Sequence, residues 1–261
     1  MTVPAAESER VDPILRLRGI DRRFGGVHAV RGVDLEVRPG ERRAVLGPNG
    51  AGKTTVFNLI SGEFAPSSGR VELFGRDVTD LPARKRARMG LSRTFQTSRL
   101  FAGLSVADNL YLAALGVGAG HLRMTRSAKD NQLREKARPI AANMGLADRL
   151  SDLVMDLSHG EQRQLEVGMA LVADPKLLML DEPAAGLSRA ERVRLTEMLL
   201  ELDESITLVL IEHDMDVALR VARWVTMMHD GRVIVEGTPE EIRANQTVHD
   251  LYLGSGLISH E

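Results

Sequence analysis

Cysteine is absent from all 261 residues. That excludes a disulfide framework, a thiolate metal site and a cysteine nucleophile, and it fits a reducing compartment. Long apolar runs are absent too: runs such as 177–180 and 206–211 fall far short of the roughly 20 residues a membrane span requires. If the protein works at a membrane, another chain must hold it there. The amino end, 1–12, is acidic and polar with no apolar centre, so it reads as neither a secretory signal nor a spanning helix. A strong net charge is missing as well. Thirty-four basic residues offset 36 acidic ones to leave -2, so no global field draws the chain onto nucleic acid or an anionic surface. Basic residues gather only locally, at 84–88 and 123–138, where they read as solvated helix faces. There is no internal repeat and no low-complexity tract.

What is present is a chain long enough for one large α/β domain, or a core with a smaller attachment. Short apolar runs at 33–37, 42–46, 177–180, 206–211 and 224–228 read as strands. Between them, Leu195, Met198, Leu199 and Leu202 form a helical stripe behind the capping box that Ser188 and Glu191 make. This alternation predicts a mainly parallel sheet covered by helices. The middle of the chain, 104–151, departs from it. An apolar run over 106–115 is followed by a glycine-rich hinge at 116–120, then by Leu133, Ala137, Ile140 and Met144 at helical spacing. With no strand evident there, it reads as a helical subdomain inserted into the core. After Gly231 the chain offers one more strand, 232–236, and a short tail with Pro239 opening a helix.

Gly47-Pro48-Asn49-Gly50-Ala51-Gly52-Lys53-Thr54-Thr55 stands between the strand 43–46 and the helical run of Val56, Leu59 and Ile60. Strand, glycine-rich loop and helix together make a phosphate-binding P-loop. The backbone N–H groups curl around the β- and γ-phosphates, and the helix adds the positive end of its dipole. Lys53 then neutralises phosphate charge and the Thr54 hydroxyl coordinates Mg2+. The apolar run 177–180 ends in Asp181 and Glu182. Successive strand side chains diverge, so the two acids take different roles: Asp181 near the magnesium, Glu182 placed to polarise an attacking water. Ser158 and Glu161 form a second capping box, which opens a helix with Leu165, Met169 and Val172 on its buried face. A capped helix start is also an anion site.

Leu157-Ser158-His159-Gly160-Glu161-Gln162, with the P-loop upstream and the Asp181-Glu182 strand downstream, resembles the signature turn of the ABC-type ATPases. The resemblance runs over about 12–253 as one cassette. It implies a P-loop NTPase core with a mainly parallel sheet and an antiparallel β subdomain near the N-terminus (12–103 and 152–240), a helical subdomain at about 104–151, and a helical tail at 239–261. In that family two cassettes pack head to tail, and the signature turn of one covers the γ-phosphate held by the other. Ser158, the Gly160 backbone and Glu161 are then the groups that meet the partner's nucleotide. Gln96 matches the glutamine that reaches the magnesium or the attacking water. His213 matches the histidine that holds the γ-phosphate and orients Glu182, and Phe24 matches the aromatic that stacks on adenine. Ala185-Gly186-Leu187-Ser188 takes the place of a loop facing the opposite cassette. The chain departs from the family at His159, usually glycine, at Glu161, usually glutamine, and at Ser188, often aspartate.

The segments 93–101, 157–165, 211–215 and 237–254 look like the ATPases of branched-chain, hydrophobic amino acid importers of the larger-subunit type. That implies ATP and Mg2+ as cofactors and a second ATPase subunit, identical or sister. It also implies two integral permeases, a solute-binding protein reached indirectly, no nucleic acid, and a peripheral place on the cytoplasmic face of the membrane. Phe95, Leu100 and Phe101 fall where a permease coupling helix would dock, or serve as subdomain core. The same endings occur in importers of urea and short-chain amides and in the ATPase that extracts lipopolysaccharide. A soluble ABC protein acting on ribosomes or DNA would carry paired cassettes, a coiled coil or a basic surface, and a non-hydrolysing scaffold would not need both Glu182 and His213.

Overall fold

A computed structural model describes residues 12–95, 100–117 and 128–253. Two long strands, β1 (Leu15–Phe24) and β2 (Val27–Val37), open the chain as an antiparallel hairpin with Phe24 opposite Val27. β3 (Arg42–Leu46) leads through the 47–52 loop into α1 (Lys53–Ser61). β4 (Ser68–Leu73) returns to pair antiparallel with β1, and the short β5 (Arg76–Asp77) extends it. Next come α2 (Ala83–Arg88), β6 (Leu91–Arg93), α3 (Val106–Val117), α4 (Ala128–Asn143), α5 (His159–Leu171) and β7 (Leu177–Asp181). The chain closes with α6 (Arg189–Leu200), β8 (Thr207–Ile211), α7 (Met215–Val221), β9 (Trp224–His229), β10 (Arg232–Gly237), α8 (Pro239–Ala244) and α9 (Gln246–Leu253).

Two sheets result, one in the order β2-β1-β4-β5 and one in the order β10-β9-β3-β8-β7-β6. In the second, β9, β3, β8, β7 and β6 run parallel and β10 is antiparallel at the edge. Every residue of β3, β7 and β8 is buried, which requires cover on both faces. Leu178, Leu180, Leu208 and Leu210 point to the side packed by Val106, Leu110, Leu165, Leu195 and Val217 of the helices. Leu177, Met179, Val209 and Ile211, one residue out of phase, point to the side packed by Leu15, Leu17, Val30, Phe57 and Ile60. The period-two alternation therefore serves two cores, not a core and a solvent face. It also brings the carboxyl ends of β3, β7 and β8 side by side, where ligands of open parallel sheets bind.

Three expectations change. The strand expected at 33–37 is the end of a longer one, and it belongs to the antiparallel sheet. Gly116 does not open a hinge; it continues α3, and 118–120 lie outside the described residues. The basic group at 84–88 is not wholly a solvated face either. Arg84, Lys85 and Arg88 are exposed, but Arg86 is 1% exposed. Its guanidinium donates to the Leu59 and Ile60 carbonyls at the end of α1, at 2.7 and 2.8 Å, and to Leu81 and Thr79 at 2.8 and 3.0 Å. Those helix-end carbonyls lack partners of their own, and a forked donor of five N–H groups serves several at once. Burial pushes the Arg86 guanidinium down to about 10. In the other basic group, 123–127 lie outside the described residues, and Arg134 pairs with Asp108 at 2.9 Å and lies over the Tyr111 ring.

Candidate functional site

The loop from Gly47 to Gly52 curls back on itself before α1 begins. Lys53, the first helical residue, is 5% exposed and donates from Nζ to the Gly47 and Pro48 carbonyls at 2.7 and 3.0 Å. Burial lowers its pKa, while Glu182 and Asp181 act in the opposite direction. Gly52 has φ +97°, and a Cβ there would lie 2.5 Å from the Ala29 carbonyl of β2. Only glycine satisfies both the left-handed backbone and that approach. The β9–β10 turn braces the loop from the same side: Gly231 N–H donates to Ala51, and Arg31 N–H to Gly231.

Asp181 and Glu182 end β7 beside this loop and, as expected, diverge. Asp181 is fully buried. Its Oδ2 accepts from Arg93 Nη2 at 2.8 Å, and its Oδ1 has no hydrogen-bond partner among the described residues. Burial raises the Asp181 carboxyl above the ordinary value and Arg93 opposes the rise. Glu182 sits at φ +51°, a left-handed conformation unusual for a non-glycine residue and a common mark of functional turns. That geometry turns its carboxylate out of the strand, and Oε1 lies 2.7 Å from His213 Nε2 at the end of β8. The backbone is held by Glu182 N–H donating to the Ile211 carbonyl and by Arg163 Nη2 donating to the Glu182 carbonyl.

Glu212, between β8 and His213, was not singled out in the sequence. It is 2% exposed and accepts from the Ala184 and His213 backbone N–H groups. It thus ties the turn after Glu182 to the turn carrying His213. Burial pushes its carboxyl up to about 7.

An open cleft of about 480 Å³ collects most of these groups: Asn49, Gly50, Ala51, Gly52, Lys53, Thr54, Thr55, Glu182 and His213. Sequence reasoning missed the opposite wall, made by Val27, His28, Ala29 and Arg31 of β2 with Asp230 and Gly231. Only the packing of the hairpin over the loop places them there. His28 bonds Asp21, whose other carboxylate oxygen accepts from Gly32 N–H at 2.9 Å.

Of the expected residues, Phe24, Gly47, Pro48, Ser158, Gly160, Glu161 and Asp181 are not among those lining this cleft. Phe24 stands 42% exposed, edge-on to Phe64 at 5.3 Å, with the Arg22 guanidinium 4.5 Å from one ring and 4.7 Å from the other. Ser158 and Gly160 line a separate cavity of about 30 Å³ with Leu187 and Glu191. The Ser158–Glu161 capping box forms as expected. A Cβ at Gly160 would lie 2.3 Å from Glu191 Oε1, so a side chain there would have to displace the Glu191 carboxylate. Gln96 lies outside the described residues.

A second, apolar groove of about 280 Å³ runs beside β6, lined by Ala87, Arg93, Phe95, Leu100, Met169 and Ala173 among others. Phe95 and Leu100 thus meet there, whereas Phe101 is 53% exposed and outside the lining. No helix among the described residues is long and apolar enough to cross a membrane.

The chain matches the ABC transporter family profile over residues 30–185 and the branched-chain amino acid ATP-binding cassette transporter profile over 232–257. It is 40% identical over 251 residues to the high-affinity branched-chain amino acid transport ATP-binding protein LivG of Salmonella typhimurium, covering 93% of this chain and 98% of that protein. It is 37% identical over 255 residues to BraF of Pseudomonas aeruginosa, a protein of the same description, with 93% and 98% covered. Among solved structures, the ADP conformation of MJ1267, an ATP-binding cassette of an ABC transporter, superposes with a TM-score of 0.83 at 29% identity, covering 93% of this chain and 99% of that one.

Proposed function

This chain belongs to the ATP-binding cassettes of ABC transporters, and we propose that it hydrolyses ATP to drive uptake of branched-chain, hydrophobic amino acids through partner permeases. The observation that carries the hydrolytic part is the Glu182–His213 pair, 2.7 Å apart at the rim of the cleft that holds Lys53. The cargo rests on the names of the relatives and on the C-terminal match at 232–257.

On this reading the phosphates of ATP take over the Lys53 ammonium from the Gly47 and Pro48 carbonyls and accept from the loop N–H groups. His213 donates from Nε2 to Glu182 Oε1 and so holds that carboxylate toward an attacking water. Glu182 takes the water proton as the water oxygen bonds to the γ-phosphorus. The bond to the β–γ bridging oxygen breaks, and ADP leaves with that oxygen. Asp181 Oδ1, buried and without a partner among the described residues, fits a divalent cation. Asp181 and Thr54, with Gln96, would hold the Mg2+, which would neutralise charge on the β- and γ-phosphates.

One chain leaves Ser158 and Gly160 outside the cleft, which supports their service to a second cassette, identical or sister. Phe24 would meet adenine by turning from Phe64. The groove lined by Phe95 and Leu100, between the core and the helical segment 104–151, would receive an apolar helix of a permease on the cytoplasmic face of the membrane. A solute-binding protein would deliver the cargo.

The test is reconstitution of the chain with the permeases and binding protein that co-purify with it, followed by uptake of labelled leucine or urea. ATP-dependent leucine uptake supports the reading. Urea uptake, or ATP turnover with no uptake, overturns the cargo.

A further inference from the structure

The two oxygens of Asp181 are not equivalent, and Arg93 is the reason. Arg93 ends β6 with its side chain 5% exposed. Its Nη2 donates to Asp181 Oδ2 at 2.8 Å, while Nη1 donates to Asn58 Oδ1 at 2.6 Å and to Ser61 Oγ at 2.9 Å, both on α1. Its guanidinium carbon lies 5.7 Å from the centre of the Phe57 ring and 5.1 Å from that of Phe95. Three hydrogen bonds to two elements and two aromatic neighbours fix the guanidinium plane. Asp181 cannot rotate without losing the charged donor to its Oδ2 in a fully buried site.

An arginine that served only to neutralise a buried acid would take the carboxylate in a fork, two N–H groups on two oxygens. This pair does not. Arg93 Nε and Asp181 Oδ1 are both buried and, among the described residues, both without a hydrogen-bond partner. One carboxylate oxygen is pinned and the other is left open, at high cost in a fully buried place. That arrangement suits a carboxylate offering a single oxygen to a cation.

We propose that Arg93 is a positioning residue that pins Asp181 Oδ2 and thereby fixes Oδ1 as the oxygen presented to the divalent cation of a bound nucleotide. The inference rests on the reading of Asp181 as the cation-facing acid. It assigns to Arg93 the part played by outer groups that orient metal ligands, whose loss weakens metal binding without touching the metal. Arg93 and Phe95 also line the apolar groove, so the residue that sets the carboxylate forms part of that groove's wall.

The experiment measures Mn2+ binding to the complex of the full chain with ADP by electron paramagnetic resonance, and ADP binding in EDTA alongside it. Arg93→Lys keeps the positive charge but cannot bridge Asp181, Asn58 and Ser61 together, so it separates geometry from charge. It is expected to raise the Mn2+ Kd about 10-fold and to leave metal-free ADP binding unchanged. Asn58→Ala, which leaves both members of the ion pair in place, is expected to raise it about 3-fold, and it decides the matter if Arg93→Lys does not fold. Asp181→Asn is the control for the underlying reading. If Asp181→Asn weakens Mn2+ binding while the other folded variants stay within about twofold of the parent, Arg93 is a structural neutraliser and the proposal fails. If Asp181→Asn itself leaves Mn2+ binding unchanged, the reading of Asp181 fails, and the proposal with it.

Discussion

His213 Nε2 lies 2.7 Å from Glu182 Oε1, joining residues 31 positions apart across the carboxyl ends of β8 and β7. The contact depends on two local features: the left-handed backbone at Glu182 and the buried Glu212, which bonds the turns on both sides. The proposed general base and the imidazole proposed to orient it are thus held by the backbone geometry of the two turns.

Glu182→Gln keeps the shape and removes the basic oxygen. It is expected to lower ATP turnover by about 10²- to 10⁴-fold while ATP still binds, as measured by phosphate release and by binding of a fluorescent nucleotide. His213→Ala should lower turnover about 10²-fold. Native turnover in Glu182→Gln would remove Glu182 from the role of base.

Ser158 and Gly160 sit outside the cleft that contains Lys53, so damage to the two features should complement in trans. Lys53→Ala and Ser158→Arg proteins are each expected to be inactive alone. Mixed, they form dimers that carry one intact site, assembled from Lys53 of one copy and Ser158 of the other. Partial recovery of phosphate release on mixing is the expected result. No recovery at any ratio would rule out a site shared between two identical copies of this chain.

Glu212 supplies a pH signature. Burial raises its carboxyl from 4.5 to about 7, so between those values the folded chain holds a proton that the unfolded chain has released. Its contribution to stability is therefore fully present below about pH 4.5 and is lost as pH rises through about 7, by an amount on the order of 3 kcal/mol. Glu212→Gln should flatten that slope, read from urea midpoints at pH 5, 6, 7 and 8. Equal slopes in parent and variant would remove Glu212 as the source.

Arg86 has a structural role that can be isolated. Arg86→Met preserves apolar bulk but strips the carbonyls of Leu59, Ile60, Leu81 and Thr79 of their shared donor. It is expected to lower unfolding free energy by about 3–5 kcal/mol, with Arg86→Lys between the two because an ammonium reaches fewer of the four. A loss under about 1 kcal/mol in urea titration would show that water replaces the guanidinium.

The candidate site was legible wherever chemistry and chain order coincide. The 47–55 loop, the Asp181-Glu182 strand end and the Ser158 capping box each carry their physical cause in a short stretch: glycines for a backbone cradle, an apolar run ending in acid, and a serine three residues before a glutamate. The core strands β7 and β8 were legible for the same reason, as short apolar runs, and β3 by its apolar end at 44–46 before the glycine-rich loop. β1 was not read as a strand because the alternation of Leu15, Arg16, Leu17 and Arg18 breaks at Gly19 and polar residues fill 21–23. β6, three residues long, offered too little pattern to read.

What the sequence determined by itself is the local machinery: the phosphate cradle, the two acids, the caps and the parallel core. What only tertiary structure decided is which groups meet. Arg86 reads as one more basic residue on a charged helix, yet packing buries it against the end of α1. Arg93, Glu212 and the β2 wall of the cleft gain their positions from elements far away in the chain, because a hydrogen bond or a cleft is set by distance in space and leaves no period in sequence. Ser158, the plainest motif in the chain, is left outside the cleft by that same packing.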